Sequence, residues 1–346
     1  MTDTADAWRI VGFLGPAIVV SALVASALLI VLLTPLFARF ALAVPNSRSS
    51  HRSLTPQWGG LAVVAATVGV TALVISTSSQ FGAGTDSRTW LVLLAALLLA
   101  VVGAVDDIRN LGAASKLVAQ AAAVMLVIAA LPGDMRILSA LPPWIERAML
   151  LLAGLWFVNL VNFMDGIDWM MVAEVVPVTA GVALVGALGA LPPEGLVVAL
   201  ALNGAMLGFA PFNRPVARLF LGDMGSLPTG LLIGWLLLLV AGSGHVAAAL
   251  LLPLYFVADT TVTLLRRLRA GERVWEAHRT HFYQRAGDGG LRNMEIVGRV
   301  FAVNCGLVVL AAMSVLIASP AGSLAAFALG AALVAGLLSS FAKRRV

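Results

Sequence analysis

Apolar runs long enough to cross a bilayer recur from one end of this 346-residue chain to the other, separated by short polar segments. A spanning helix needs roughly 20 apolar residues, because the hydrocarbon core is about 30 Å thick. The composition agrees: 60% of the residues are hydrophobic and 11% are charged, which is too apolar for an ordinary soluble domain. We predict an all-α, polytopic integral membrane helix bundle that uses residues 1–346 as one domain. Its eleven predicted spans lie at about 11–36, 59–78, 90–105, 117–132, 148–164, 171–190, 196–211, 227–242, 246–265, 297–317 and 321–341.

Basic residues indicate how this bundle sits in the membrane. If the N-terminus lies outside, eighteen of the 22 lysines and arginines fall in cytoplasmic segments. Only Arg9, Arg88, Arg136 and Arg147 fall on the other side, and cytoplasmic loops are the ones that carry excess Lys and Arg. The N-terminus is therefore predicted outside and the C-terminus inside. The net charge of +5 is attributed to these loops and to anionic lipids, and we expect no nucleic-acid binding.

Two adjacent acids end the third predicted span, and a lysine opens the fourth. Asp106 and Asp107 stand at the membrane boundary, and Lys116 follows after a short loop. Adjacent carboxylates are costly in this position unless a cation or a proton compensates them. We expect the pair to bind Mg²⁺ or to act as a base. Capping a helix is the structural alternative, although capping needs one acid and not two.

The fifth predicted span ends in a cluster of amides and acids. Asn159 and Asn162 are three residues apart and share one helix face, which Asp165 continues if the helix persists. Asp168 follows immediately. Hard Mg²⁺ prefers such oxygen ligands, whereas zinc and copper prefer nitrogen and sulfur. A buried, hydrogen-bonded asparagine pair without a metal is the alternative.

Two further cytoplasmic segments suit an anionic ligand. In the first loop, Arg48, Ser50 and His51 supply donors without acids, and an ordinary solvated loop is the alternative. In the segment Gly222–Ser226, glycines flank Asp223, so a phosphate or metal has room to approach the backbone. A plain turn would also use Gly-Asp, so this segment is weak on its own.

The longest cytoplasmic loop carries two histidines three residues apart, His278 and His281, with Arg279 and Arg285 beside them. No further histidine or cysteine is near in sequence to complete a zinc site. Two arginines and two histidines are better suited to gripping a diphosphate.

Two more acids, Glu174 and Asp259, are expected inside the sixth and ninth predicted helices. A carboxylate in such a position needs a polar partner. Structural pairing is favoured for both over orientation of the loop arginines.

In this order, the segments resemble the polyprenyl-phosphate N-acetylhexosamine-1-phosphate transferase family, the glycosyltransferase family 4 type, over most of the chain. Each motif is short, but five in the same order at cytoplasmic span ends are specific. The segments that carry the resemblance are Pro45 to His51, Asp106 with Asp107, Asn159 to Asp168, Gly222 to Ser226, and His278 to Arg285.

The resemblance implies an enzyme that transfers a sugar 1-phosphate from a UDP-sugar to undecaprenyl or another polyprenyl phosphate and releases UMP. The sugar would be an N-acetylhexosamine or its 6-deoxy form, and the product would start a cell-envelope polysaccharide such as O-antigen. The enzyme would lie in the bacterial inner membrane among lipids, with its site on the cytoplasmic face. A homodimer is one candidate assembly.

The resemblance also implies residue roles. Asp106 and Asp107 would serve the lipid phosphate, with Asp106 a candidate base, and Lys116 would neutralise phosphate. Phe220 would stack on uracil. The implied catalytic residues are Asp106, Asp107, Asp165, Asp168 and Asp223; the implied substrate-binding residues are Arg48, Ser50, His51, Lys116, Asn159, Phe220, His278, Arg279, His281 and Arg285; the implied ligands of Mg²⁺, or alternatively Mn²⁺, are Asn162 and Asp223.

One feature departs from the family's usual sequence, and another indicates a branch of the family. Trp169 stands where the family usually has a glycine after the second aspartate of its motif. His278 and His281 are separated, which resembles the branch that acts on simple UDP-N-acetylhexosamines. The branch that acts on phospho-MurNAc-pentapeptide carries consecutive histidines and is the alternative.

A secondary transporter is the competing function from another class, because transporters also bury acids among their spans. They place these acids near the bilayer midplane, often at broken helices. The five candidate aspartates instead cluster at one predicted membrane face, which favours the enzyme. Both proposed reactants are anions, so charge neutralisation is expected to supply most of the catalysis.

Overall fold

The structure, a computed structural model, describes residues 7–8, 10–40, 42–43, 55–77, 87–273 and 278–343. Side chains are described in all of these ranges except at 37–40, 42–43 and 190. The first-loop residues predicted to bind substrate, Arg48, Ser50 and His51, lie outside the described residues.

The described ranges form a bundle of α-helices with one short antiparallel ladder, in which Leu42–Ala43 (β1) pairs with Thr55–Pro56 (β2). A π-helical turn, Ile10–Leu14, leads into the first α-helix. The helices are α1 Gly15–Phe40, α2 Gly59–Thr77, α3 Ser87–Arg109, α4 Ala113–Ala129, α5 Pro143–Met164, α6 Met170–Val185, α7 Pro193–Phe209, α8 Asp223–Gly242, α9 Val246–Leu251, α10 Leu254–Arg269, α11 Phe282–Asp288, α12 Asn293–Ile317 and α13 Pro320–Ala342.

The predicted all-α membrane bundle is confirmed. Eight of the described helices are long and apolar enough to span a bilayer, namely α1, α2, α3, α5, α6, α8, α12 and α13. Two more, α4 and α7, are apolar and 17 residues long. Proline starts α5, α7 and α13, where its missing N–H would have no partner in any case.

The ninth predicted span is wrong as a single helix. The chain leaves helical geometry at Pro253 (φ −93°, ψ 11°), which separates the short α9 from α10. Proline has no backbone N–H and cannot continue the hydrogen-bond ladder of a helix. Helix α10 then ends in Arg266, Arg267 and Arg269, and cations are favourable at a helix C-terminus.

Helix α8 packs against α2 and α3 at backbone contact. A Cβ added to Gly60 of α2 would lie 2.2 Å from the Cα of Gly225, and one added to Gly103 of α3 would lie 2.4 Å from the Asp223 carbonyl. Only glycine fits at such distances, and small residues let membrane helices approach closely. These contacts fix where α8 begins relative to its neighbours.

The ends of α3 and α5 and the starts of α4, α6 and α8 gather at one end of the bundle. Because this end contains Asp106, Asp165 and Asp223, we call it the carboxylate end. The connection between α4 and α5 lies at the opposite end, where Arg136 pairs with Glu146. The predicted site aspartates therefore lie at the carboxylate end, away from the ion pair of Arg136 and Glu146.

The polar partner predicted for Glu174 is present. Its Oε2 accepts a hydrogen bond of 2.7 Å from Asn304 Nδ2, which joins α6 to α12. The same nitrogen donates to the Ala173 carbonyl at 2.9 Å. Glu174 is therefore paired structurally, as expected.

Candidate active site

Lys116 bridges two of the predicted aspartates at the carboxylate end. Its Nζ lies 2.6 Å from Asp106 Oδ2 and 3.2 Å from Asp223 Oδ2. Asp106 is further held through Oδ1, which accepts a 2.7 Å hydrogen bond from the Leu111 N–H in the turn between α3 and α4. One ammonium group thus links the end of α3 with the start of α8.

Asp107 reaches across to the N-terminus of α8. Its Oδ1 lies 3.3 Å from the Asp223 nitrogen and its Oδ2 lies 3.5 Å from the Met224 nitrogen, so it accepts two long hydrogen bonds from N–H groups that have no partner within α8. A Cβ on Gly222, which has φ +74°, would come within 2.8 Å of Asp107 Oδ2. Asp107 therefore caps a helix, as the structural alternative supposed. The helix that it caps is α8 and not α3, on which it lies.

Asn162 and Asp223, the predicted metal ligands, are adjacent. Asn162 Nδ2 donates to Asp223 Oδ1 at 2.8 Å and to Ser226 Oγ at 2.8 Å. Ser226 is fully buried, and sequence reasoning gave it no role in the site. Its position three residues after Asp223, on the same face of α8, was the available signal.

Asn159 forms a hydrogen-bonded amide pair with Gln120, and not with Asn162 as the metal-free alternative supposed. Its Nδ2 donates to Gln120 Oε1 at 2.7 Å, and Gln120 Nε2 donates back to Asn159 Oδ1 at 3.3 Å. Asn159 lies one turn deeper along α5 than Asn162, so its amide ties α5 to α4. Sequence reasoning missed Gln120, although it follows Lys116 by four residues and shares its helix face.

Asp165 and Asp168 have different surroundings. Burial, and then the charges of Asp223, Asp107 and Asp168, raise the pKa of Asp165 to about 7. Asp165 therefore belongs electrostatically to the carboxylate cluster of Asp106, Asp107, Asp165 and Asp223. Asp168 is buried, and its Oδ2 accepts a 3.0 Å hydrogen bond from the Ala217 N–H. It anchors the loop between α7 and α8.

Trp169 explains why a glycine is usual at its position. Its φ of +64° lies in the left-handed region, which costs a residue with a Cβ about 1–2 kcal/mol. Two hydrogen bonds offset this cost: its backbone N–H donates to Asn213 Oδ1 at 2.8 Å and its indole Nε1 donates to the Ala210 carbonyl at 2.6 Å. The tryptophan therefore fixes the loop that leads to Asp223.

Phe220 lies at the end of this loop, three residues before Asp223. Its backbone N–H donates to the Pro56 carbonyl at 2.9 Å, and its carbonyl accepts from the Gly59 N–H at 2.9 Å. The ring is half-buried. The structure thus positions Phe220 beside the entry to α2.

The loop predicted to bind a diphosphate is attached to α10 by Asp259. This fully buried carboxylate accepts hydrogen bonds from the backbone N–H groups of Phe282 (3.0 Å) and Tyr283 (3.3 Å) at the start of α11. It also contacts His281 Nδ1 at 3.1 Å and accepts from Tyr255 Oη at 3.3 Å. The polar partners predicted for Asp259 are therefore present.

The two loop histidines are not equivalent. His281 is 2% exposed and engaged with Asp259, so its ring is committed to holding α11. His278 is half-buried and stacks on His281 with ring centroids 4.8 Å apart. Burial, and then the charges of His281 and Arg267, lower the pKa of His278 to about 4. Of the pair, only His278 keeps exposed surface for a ligand.

Tyr283 connects this loop to the end of α5. Its hydroxyl donates to the Phe163 carbonyl at 3.3 Å, and a Cβ on Gly166 would lie 2.0 Å from that hydroxyl. Burial, and then the charges of Asp259 and Asp165, raise the pKa of Tyr283 well above its usual range. The loop therefore meets the segment that carries Asp165. Both tyrosines of the chain donate to Asp259, Tyr255 through its hydroxyl and Tyr283 through its backbone N–H.

The loop arginines remain polar and partly accessible. Arg279 Nη2 lies 3.1 Å from Asp288 Oδ1, and its Nε is enclosed without a hydrogen-bond partner among the described residues. Arg285 is half-buried on α11. Both keep donors that suit an anionic ligand.

The carboxylate cluster suits a hard divalent cation. Its donors are oxygens, and Lys116 is the cation that contacts two of its four carboxylates, Asp106 and Asp223. Among the described residues, no three acidic, histidine or cysteine side chains lie at metal-ligand spacing. Asp223 and Asn162 would thus supply a small part of the coordination shell, with water and phosphate completing it, as is usual for Mg²⁺.

Comparison with known proteins covers the same region. Residues 89–241 match the family model described as glycosyl transferase family 4. The match runs from α3 to α8 and includes Asp106, Asn162 and Asp223. The loop that contains His278 lies beyond it.

Several relatives match most of the chain, among them the following three. A probable undecaprenyl-phosphate N-acetylglucosaminyl 1-phosphate transferase of Bacillus subtilis is 26% identical over 309 residues, 83% of this chain and 84% of the relative. A decaprenyl-phosphate N-acetylglucosaminephosphotransferase of Mycobacterium tuberculosis is 28% identical over 333 residues, 86% of this chain and 81% of the relative. A phospho-N-acetylmuramoyl-pentapeptide-transferase of Synechococcus is 30% identical over 314 residues, 82% of this chain and 87% of the relative.

Proposed function

Since this chain belongs to glycosyl transferase family 4, we propose that it transfers the 1-phosphate of an N-acetylhexosamine from a UDP-sugar to a polyprenyl phosphate. Two observations support the general activity of a polyprenyl-phosphate sugar phosphotransferase in a multi-pass membrane protein. They are the names of the relatives and the spanning helices. The UDP donor, the N-acetylhexosamine and the divalent metal are proposed for this chain.

The observation that carries the proposal is the Lys116 bridge between Asp106 and Asp223. A lysine held between two acids is a ready partner for an incoming phosphate, because its ammonium group can exchange a carboxylate for a phosphate oxygen. Four clustered aspartates with one lysine also leave negative charge that a bound cation would balance. Anionic substrates need both kinds of positive charge.

In the proposed reaction, an oxygen of the polyprenyl phosphate attacks the sugar-proximal phosphorus of the UDP-sugar. A new P–O bond forms, the bond to the UMP phosphate oxygen breaks, and UMP leaves with the bonding electron pair. The products are polyprenyl-diphospho-sugar and UMP. Phosphoryl transfer of this kind depends mainly on in-line positioning and charge neutralisation.

Each residue near the bridge has a proposed task. Lys116 neutralises phosphate, and Asp106 holds Lys116 in place. Asp107 fixes the backbone of α8 so that the Asp223 carboxylate faces Lys116. Asp223, oriented by Asn162, would hold Mg²⁺, with Mn²⁺ as the alternative; the bound cation would neutralise the diphosphate.

A general base is not required in this proposal. The lipid phosphate is already ionised near pH 7 and needs no deprotonation to act as a nucleophile. Asp106 is also engaged on both oxygens, with the Leu111 N–H and with Lys116. We therefore assign Asp106 to positioning and not to proton abstraction.

The nucleotide-sugar is proposed to lie between Phe220 and the loop of α11. Phe220 would stack on uracil, while Arg279, Arg285 and His278 would contact the diphosphate or sugar. Asp168 and His281 would act indirectly, since each is buried and holds a loop. The carboxylate end would face the cytoplasm of a bacterial inner membrane, and the product would start an envelope polysaccharide.

A second candidate donor is UDP-MurNAc-pentapeptide, because one relative at 30% identity is named for that substrate class. The test uses the purified protein in nanodiscs with undecaprenyl phosphate and Mg²⁺. UDP-GlcNAc, UDP-GalNAc, a UDP-6-deoxy-N-acetylhexosamine and UDP-MurNAc-pentapeptide are supplied separately. UMP release and the mass of the lipid product are measured.

We expect turnover with at least one simple UDP-N-acetylhexosamine and loss of UMP release when Mg²⁺ is chelated. Turnover with the pentapeptide donor alone would select the second candidate. Turnover with none of the four donors, in protein that remains folded, would overturn the proposed reaction.

A further inference from the structure

A cavity lies far from the carboxylate end, between the end of α4 and the start of α5. It measures about 500 Å³. Its walls are apolar except for one arginine, and the lining residues that matter here are Met125, Ile128, Leu131, Arg147, Ala148 and Leu151. The cavity therefore offers one positive charge within an otherwise hydrocarbon-like groove.

Arg147 has no balancing partner in this groove. Its Nη1 is enclosed and has no hydrogen-bond partner among the residues that the structure describes. The neighbouring acid, Glu146, is engaged with Arg136 Nε and with the backbone N–H groups of Ile137 (2.6 Å) and Leu138 (3.0 Å). An unpaired buried charge is costly, and Arg147 is half-buried and lines the groove, so an anion bound in the groove would compensate the guanidinium charge.

The position of Arg147 matches the headgroup level of a bilayer. It lies in the first turns of α5, a 22-residue helix about 33 Å long, which is enough to cross the hydrocarbon core. Trp144 beside it is 73% exposed, and Trp90 at the start of α3 is 40% exposed at the same end. Tryptophans are enriched where membrane meets water, so this end lies at an interface.

This site is distinct from the candidate active site. Arg147 and Asn162 are both on α5, 15 residues apart, which is about 22 Å along the helix axis. The groove is therefore at the opposite membrane face from the carboxylate cluster. A ligand there would not be the substrate of the proposed reaction.

We propose that this groove binds one anionic phospholipid of the leaflet opposite the carboxylate end. The lipid phosphate pairs with the Arg147 guanidinium, and one acyl chain lies along Ile128, Ala148 and Leu151. Arginine suits a phosphate because its planar fork donates two parallel hydrogen bonds. The apolar walls select a lipid over a free anion, since only an acyl chain fills them.

Native mass spectrometry of the full chain in micelles tests this with phosphatidylglycerol and phosphatidylcholine titrated separately. We expect one phosphatidylglycerol to be retained preferentially, and Arg147→Gln to weaken that binding about tenfold, as expected for the loss of a charge-assisted contact. Ala148→Phe, which fills the apolar wall and keeps the charge, is expected to weaken it as well. Arg88→Gln is the control, because it removes a charge at the same end without lining the groove.

Equal phosphatidylglycerol retention by wild type and Arg147→Gln would overturn the proposal, as would equal retention of phosphatidylcholine and phosphatidylglycerol by wild type. Displacement of the lipid by millimolar inorganic phosphate would identify a free-anion site and would overturn the commitment to a lipid. Thermal unfolding of each variant in lipid-free micelles shows that the fold is intact. Loss of binding by Arg147→Gln with an unchanged unfolding temperature supports the site.

Discussion

The starts of α8 and α11 are held by the same device, a carboxylate on another helix that accepts the first backbone N–H groups. Asp107 does this for α8 at 3.3 and 3.5 Å, and Asp259 does it for α11 at 3.0 and 3.3 Å. Asp259 is fully buried and has further neutral donors around it, whereas Asp107 is half-buried and lies among like charges. Asp259 is therefore enclosed by its hydrogen-bond donors, whereas Asp107 remains accessible to a ligand.

This difference separates structural acids from reactive ones. A carboxylate whose lone pairs are all occupied by donors contributes to folding and has little left for chemistry. A carboxylate that has free lone pairs and lies beside other acids has unbalanced negative charge. A bound cation stabilises it. We expect substitutions at the α8 start to reduce turnover and substitutions at the α11 cap to reduce stability.

The largest effect is expected for Asp223→Asn, which removes the charge between Lys116 and Asn162. UMP release should fall about a hundredfold to a thousandfold, as for the loss of one strong electrostatic contact in an active site. Asp134→Asn is the matched control, because that acid is exposed at the opposite end of the bundle. Normal turnover by Asp223→Asn in correctly inserted protein would contradict the assignment of Asp223 as a metal ligand.

The next effect is expected for Asp259→Asn and concerns stability. The amide keeps one acceptor but presents an N–H₂ group to the N–H donors of α11, so the buried cap is broken. Leaving buried N–H donors without their acceptor costs about 1–3 kcal/mol. Thermal unfolding in micelles should shift to lower temperature, and limited proteolysis should cut first near α11. An unfolding temperature within about 2 °C of wild type would contradict the structural role.

A smaller effect is expected for Asp107→Asn, the equivalent change at the open cap. We expect kcat to fall about tenfold with KM little changed, because the backbone of α8 loses one of its two acceptors while the substrate contacts stay. The unfolding temperature should change less than in Asp259→Asn. If Asp107→Asn lowers the free energy of unfolding by more than it raises the activation free energy of turnover, the proposed difference between the two caps is wrong.

The smallest effect concerns pH. The pKa of His278 is lowered from 6.5 to about 4 by burial and by the charges of His281 and Arg267. Between these values the unfolded chain binds a proton that the folded chain does not, so stability should fall as pH drops from about 6.5 toward 4. NMR of labelled histidine should show a neutral His278 ring at pH 5.5. His278→Gln should flatten the pH dependence of unfolding, and a ring that titrates near 6.5 would refute the assigned environment.

Much of the architecture could be predicted, because the length and apolarity of a sequence run identify a membrane helix. The acids at helix ends were also predictable as a group, and the structure brings Asp106, Asp107, Asn162 and Asp223 together with Lys116. Pro253 was the exception in the fold. It interrupts a run that is apolar throughout, and hydropathy alone does not register a missing N–H.

The partner chosen by each polar group was harder to predict. Asn159 pairs with Gln120 and His281 with Asp259, although both were expected to meet substrate. Sequence gives the helix face on which a side chain lies, but it does not give the neighbouring helix across that face. Such choices depend on how far helices approach, which glycines such as Gly60 and Gly103 decide.

Those glycines have a consequence for any molecule designed to enter the site. Gly60 and Gly103 set α2 and α3 against the start of α8 without intervening side chains, so no rotamer can move aside there. The backbone that carries Asp223 is therefore fixed against α2 and α3, and it will not move aside to admit a bulkier headgroup. An inhibitor must therefore fit the start of α8 in its present position and gain its selectivity from the loop around His278.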